Sequence, residues 1–165
     1  MYTNKEVVVY YIKSIYLDKS QCNDDFVKGI EFLEQCSVED SVTCFKNACN
    51  SNVASDQLLP KYKSYYALSC LLNGDDEAIS ICRSLVNICP HDADVCLNLA
   101  RAEAFINNRK EALQAIDRGL VFSVHHDGLN ALKSKLGVRG RRFVPFLSRN
   151  NLLNIALGRF IRGKK

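Results

Sequence analysis

The sequence predicts an all-α protein, and three observations carry that prediction. Apolar residues recur three and four positions apart along most of the chain, the period of a helix with one buried face. Proline is absent from the interiors of the periodic segments, and no Asn-Gly or Asp-Gly pair sits between alternating apolar and polar runs as in a β-hairpin. At 165 residues, 47% apolar and 24% charged, with three prolines and eight glycines, the composition is that of one globular domain with a tail.

Taken in order, the first helix is expected over residues 4 to 18, with Val8, Tyr11, Ile12 and Ile15 on one face. Its apolar stretch, Val7 to Ile12, follows Glu6 and is soon followed by Lys13 and Asp18. No small-residue cleavage site appears, so the stretch reads as neither a signal peptide nor a membrane span. A cytoplasmic protein is expected, with a peripheral membrane role open.

Residues 24–50 then read as a helix of about twelve residues, a tight turn at Cys36-Ser37 and a second helix. The same plan recurs over Lys61 to Pro90 and over Asp92 to Leu120. In the first helix of each pair a small residue, Gly29, Ala67 or Ala100, stands where the partner's backbone must come close. In the second helices the matching triplets are Ser41, Phe45, Ala48; Ala78, Cys82, Leu85; and Ala112, Ile116, Gly119. Corresponding positions of these triplets are 37 and then 34 residues apart, a period of about 34 with a three-residue excess around Ala54 to Leu59. Pro90 closes the second copy, where a helix should stop.

This set resembles the tetratricopeptide repeat, and in particular small bacterial-type proteins of that family. The likeness spans roughly residues 22 to 126 and is strongest in the third copy, with Leu99-Ala100 and the turn NNRKEAL, and in the second, with NGDDEAI and Pro90. Three departures stand out: Glu103 where an aromatic is usual, Lys28 where leucine is usual, and a second turn one residue short. The resemblance implies a right-handed superhelix of about three helical hairpins, with an N-terminal extra helix and a capping helix over residues 128 to 136. A generic helical bundle is the alternative. The domain reading is a repeat body over residues 1–136 and a basic amphipathic tail over 137–165.

In such arrays no single hairpin buries its apolar face alone, and stacking leaves a curved surface lined by first helices. The family geometry would place Ile30, Leu33 and Glu34 of the first copy in that groove, with Ser64, Tyr65, Leu68 and Leu71 of the second. Asp94, Leu97, Asn98, Arg101 and Phe105 would follow from the third. Leucine, tyrosine and phenylalanine with one arginine suit an extended or helical peptide that has apolar anchors. Only Asn98 and Arg101 offer anything like the cationic clamp with which some family members grip a C-terminal carboxylate, so that specificity is not expected.

No enzyme is expected, and no cofactor. The eight cysteines contain no pair two residues apart in the zinc or thioredoxin pattern, and most fall where a small buried apolar residue would serve. His125, His126 and Asp127 lack a further ligand at i+3 or i+4, so they read as a polar loop and not as a metal site. Cys89 and His91 flank Pro90 with neither an orienting acid nor an oxyanion site in view.

Charge is lopsided within a net of +4. Ten of the 22 basic residues, and none of the 18 acids, lie from Lys133 onward, which leaves twelve bases and all 18 acids, a net of −6, before it. The tail opens on Arg141, Arg142, Phe143 and Phe146. It ends in an expected amphipathic helix from about Asn150 to Arg162, with Leu153, Leu157 and Phe160 on its apolar face. Three readings are open for these tail residues: packing on the body, adsorption to an anionic membrane surface, and docking into a partner or a second copy of the chain. No nucleic acid is expected, since no reader fold accompanies the basic run. The likeness as a whole implies an adaptor or scaffold that holds a peptide or protein segment in the groove. The alternatives are a secretion-type chaperone for a protein client and a peripheral membrane module.

Overall fold

A computed structural model describes residues 22–51 and 58–136, and within them it is entirely helical. Seven helices follow one another: α1 (Asp24–Glu34), α2 (Val38–Asn50), α3 (Leu59–Leu72), α4 (Ala78–Ile88), α5 (Ala93–Phe105), α6 (Arg109–Phe122) and α7 (Asp127–Leu136). The helix expected over residues 4–18 lies outside the described residues. So does the tail from 137 onward, with Arg141, Arg142, Phe143, Phe146, Leu153, Leu157 and Phe160.

Each helix starts and stops for a local reason. The Asn23 side chain accepts a hydrogen bond from Asp25 N–H at 2.7 Å, and Asp24 and Asp25 place negative charge at the positive end of α1. Asp92 caps α5 in the same way, accepting from Asp94 N–H at 2.9 Å and Val95 N–H at 3.1 Å. Pro60 sits in the first turn of α3, where its missing N–H costs no helical bond.

The ends of α1, α3 and α5 share one closing device. Cys36, Gly74 and Asn107 have φ of 65°, 104° and 62°, the left-handed region. Around each, the next residue's N–H reaches back to a carbonyl one turn inside the helix: Ser37 to Phe32 at 2.8 Å, Asp75 to Cys70 at 3.0 Å and Asn108 to Glu103 at 2.8 Å. This double-bonded cap satisfies the last carbonyls and turns the chain sharply. It folds α1 against α2, α3 against α4 and α5 against α6.

Packing follows the small residues. An ideal Cβ on Gly29 would lie 2.6 Å from the Phe45 ring, so α2 can approach α1 closely only because that side chain is absent. The expected inward triplets of the second helices are all buried, from Ser41, Phe45 and Ala48 to Ala112, Ile116 and Gly119. Phe26 stacks on Tyr62 with ring centroids 4.2 Å apart and meets Tyr65 edge-on at 5.3 Å, which ties α1 to α3. Beyond α6, the expected capping helix appears as α7, held by Leu129 and Leu132.

The cysteines differ from expectation. All eight are free, but only Cys82 and Cys96 are buried, while Cys36 is exposed and the other five are partly covered. Cys36 stands at a left-handed turn position, which projects its side chain away from the helix pair.

Candidate binding wall

The first helices α3 and α5 lie side by side, with α7 beyond α5 and the second helices α4 and α6 behind. Two sets of polar side chains run across them. Near their N-terminal ends, Lys61 Nζ lies 2.6 Å from one oxygen of Asp94, and His126 Nε2 lies 3.3 Å from the other. Burial alone would raise the Asp94 pKa; the hydrogen bond from His126 and the charge of Lys61 overcome it and hold the carboxyl well below the usual carboxylate range. The His126 ring also caps α7, its Nδ1 facing the Leu129 N–H at 3.3 Å.

One turn further along, Asn98 Nδ2 donates to Ser64 Oγ at 2.9 Å, and Arg101 Nη1 donates to Asn98 Oδ1 at 2.9 Å. Ser64 Oγ in turn donates a hydrogen bond to the Lys61 carbonyl at 2.7 Å. All three residues of this row are wholly withdrawn from solvent. Tyr65 is equally buried, and burial pushes its phenol upward against the opposing charge of Arg101.

The expected groove residues therefore fall into distinct places. Ile30, Leu33, Tyr65, Leu68 and Leu71 belong to the main hydrophobic core, and Leu97 belongs to a second cluster with Ile116, Leu129 and Leu132. Ser64, Asn98 and Arg101 form the buried polar row, and Asp94 joins the Lys61 and His126 set. Of the residues expected along the groove, most are buried, while Glu34 and Phe105 keep partial exposure. The helix α5 buries side chains around most of its circumference, with Val95, Cys96, Ala100 and Ala102 on one side and the polar Asn98 and Arg101 on the other.

Sequence reasoning passed over Lys61 and read His126 as a loop residue. A signal was present, since Lys61, Asp94 and His126 stand near the starts of successive first helices at almost the repeat spacing. On the opposite side, the nearly inaccessible Glu103 is held by an ion pair. Arg83 Nε and Nη2 reach its two oxygens at 2.7 and 3.1 Å, and Asn108 Nδ2 adds a third bond at 2.9 Å. This pair borders a shallow cleft of about 200 Å³, shared with Leu99, Glu111 and Arg118.

His125 is exposed, and His91 packs edge-on against Phe122 with ring centroids 4.5 Å apart. Among the described residues no helix is long and apolar enough to cross a membrane. No family model matches the chain, and no curated protein matches it.

Proposed function

We propose that this protein is a binding adaptor: the three hairpins stack as a right-handed superhelix of the tetratricopeptide type, and the faces of α1, α3 and α5 hold a peptide or protein segment. The row Ser64–Asn98–Arg101 carries the reading. Burying an amide, a hydroxyl and a guanidinium on adjacent helices is costly unless each is hydrogen-bonded, and an apolar wall would pack at lower cost. Directional donors and acceptors beside Leu68, Leu71 and Phe105 suit a segment that brings both apolar anchors and polar groups.

Affinity capture followed by mass spectrometry tests the reading, comparing wild type with Asn98→Ala and with an outer-face control, Lys110→Glu. Loss of the captured protein with Asn98→Ala alone, at unchanged helicity by circular dichroism, is the expected result. Equal capture by all three chains would refute the assignment.

A further inference from the structure

The front of the wall is shielded although no described helix lies across it. Asn98 turns toward α3, through its bond to Ser64, and Leu97 turns toward α7, where an added Cβ on Gly128 would meet its Cδ2 at 2.6 Å. Arg101 lies between these two directions on the helical wheel and faces away from the second-helix layer. Leu68, thirty-three positions earlier, occupies the corresponding place on α3. The described helices packed on α3 are α1, through Phe26 against Tyr62 and Tyr65, and α2, α4 and α5, and those on α5 are α3, α4, α6 and α7. Arg101 and Leu68 nonetheless have no exposed surface.

We propose that the N-terminal segment, residues 4–18, docks along this wall as its resident occupant, and that a client binds by taking its place; the second half rests on the adaptor reading above. Three observations select this segment over the tail. The first is the point of entry. Asn23 N–H donates to the Tyr62 hydroxyl at 3.0 Å, so the preceding chain arrives beside the first turn of α3, next to Lys61. The tail instead leaves from Leu136, whose carbonyl accepts from Arg109 at the far end of the hairpin.

The second is charge. Among the described residues the wall pairs Lys61 with Asp94 and adds the buried guanidinium of Arg101, so it offers no net negative charge. The tail from residue 137 carries only cations and would be repelled, whereas residues 1–21 set Glu6 and Asp18 against three lysines and are close to neutral. The third is shape and chemistry. A helix over 4–18 would be about 22 Å long, matching the 14-residue α3 at about 21 Å. Its expected face offers Val8, Ile12 and Ile15 to Leu68 and Leu71, and the Tyr11 hydroxyl to the Ser64–Asn98–Arg101 row.

The test places p-benzoylphenylalanine at position 105 of the full chain, replacing Phe105 at the partly exposed rim. Irradiation should give intramolecular cross-links to peptides within residues 1–21. Cross-links only to residues 137–165, only between two copies, or none at all would overturn the proposal. A second variant leaves the wall untouched. With Val8→Asp/Ile12→Asp in the full chain, a fluorescent peptide of residues 1–21 should bind roughly ten-fold more tightly than to wild type, because the competing segment is released. Equal binding would overturn it as well. Both readouts report the occupant whether or not any client is captured, so a failure here and a failure of the adaptor reading are separately visible.

Discussion

Asn98 donates to Ser64 across the interface of α3 and α5, 34 residues apart in sequence and 2.9 Å apart in space, and both are closed off from water. The bond joins the facing sides of successive first helices and also fixes the Asn98 oxygen that Arg101 uses. Removing the amide therefore strips a partner from two buried groups at once. Asn98→Ala is expected to cost about 1–3 kcal/mol by urea unfolding, more than Ser64→Ala at about 1 kcal/mol. Equal losses would show that the row is not linked.

Gly29 and Gly74 separate two reasons for glycine. At Gly29 a methyl group would meet the Phe45 ring at 2.6 Å, and Phe45 is locked among Phe26 and Tyr65. Gly29→Ala should cost about 1–3 kcal/mol through overpacking. At Gly74 nothing lies within 4 Å, but φ is +104°, so Gly74→Ala pays only backbone strain, about 1 kcal/mol. Thermal denaturation of the two variants checks the order. Gly29→Ala paired with Phe45→Leu should recover part of its loss, while the same partner should not help Gly74→Ala.

Asp94 gives the wall a pH dependence of defined sign. Its folded pKa is depressed by the His126 hydrogen bond and the Lys61 charge, acting against burial. A depressed carboxylate contributes stability above its unfolded pKa of about 3.9, and that contribution is lost as pH falls through the lower folded value. Lys61 acts in the opposite sense at the alkaline end, since Asp94 outweighs burial and raises its pKa. Its share is present below the unfolded value of about 10.4 and is lost as pH rises past the folded one. Urea unfolding across pH should show wild type above Asp94→Asn near neutrality and the two curves drawing together in acid. Parallel curves would refute the linkage.

The parts of the fold legible in the sequence are those fixed by local chemistry. The small-large-small triplets placed Ser41, Phe45 and Ala48 and their counterparts inside, and the turn at Cys36-Ser37 and the capping helix near 128–136 were expected where they occur. What periodicity could not reveal is burial imposed from more than one side. The helix α3 buries Tyr62, Tyr65, Ala67 and Leu68 on different faces, so no single apolar stripe marks which face meets the wall. For that reason Leu33, Tyr65, Leu68 and Leu71 could be named as wall positions while their membership of the core stayed hidden. Lys61 and His126 gain meaning only through Asp94, a contact made across three helices.

Glu103 supplies a last test, because a nearly inaccessible carboxylate stands where the resemblance calls for an aromatic. Its side chain is 2% exposed, and Arg83, 50% exposed, holds it from the cleft side with Asn108 as a second donor. Deleting Arg83 leaves the carboxylate covered and short of its counter-charge, which for a fully buried pair costs about 3–5 kcal/mol. The exposed half of Arg83 reduces this, since water can enter the vacated cleft, and Arg83→Ala is expected to cost about 1–2 kcal/mol. Glu103→Gln should cost a similar amount, because the amide turns a donor toward either Arg83 or the Asn108 amide. In the double variant the charge conflict is gone, so its loss should fall short of the sum of the single losses by about 1 kcal/mol. Urea midpoints at constant ionic strength measure all four corners of this cycle. Strict additivity would mean that the Arg83–Glu103 pair contributes no coupling to the packing of α4 against α5.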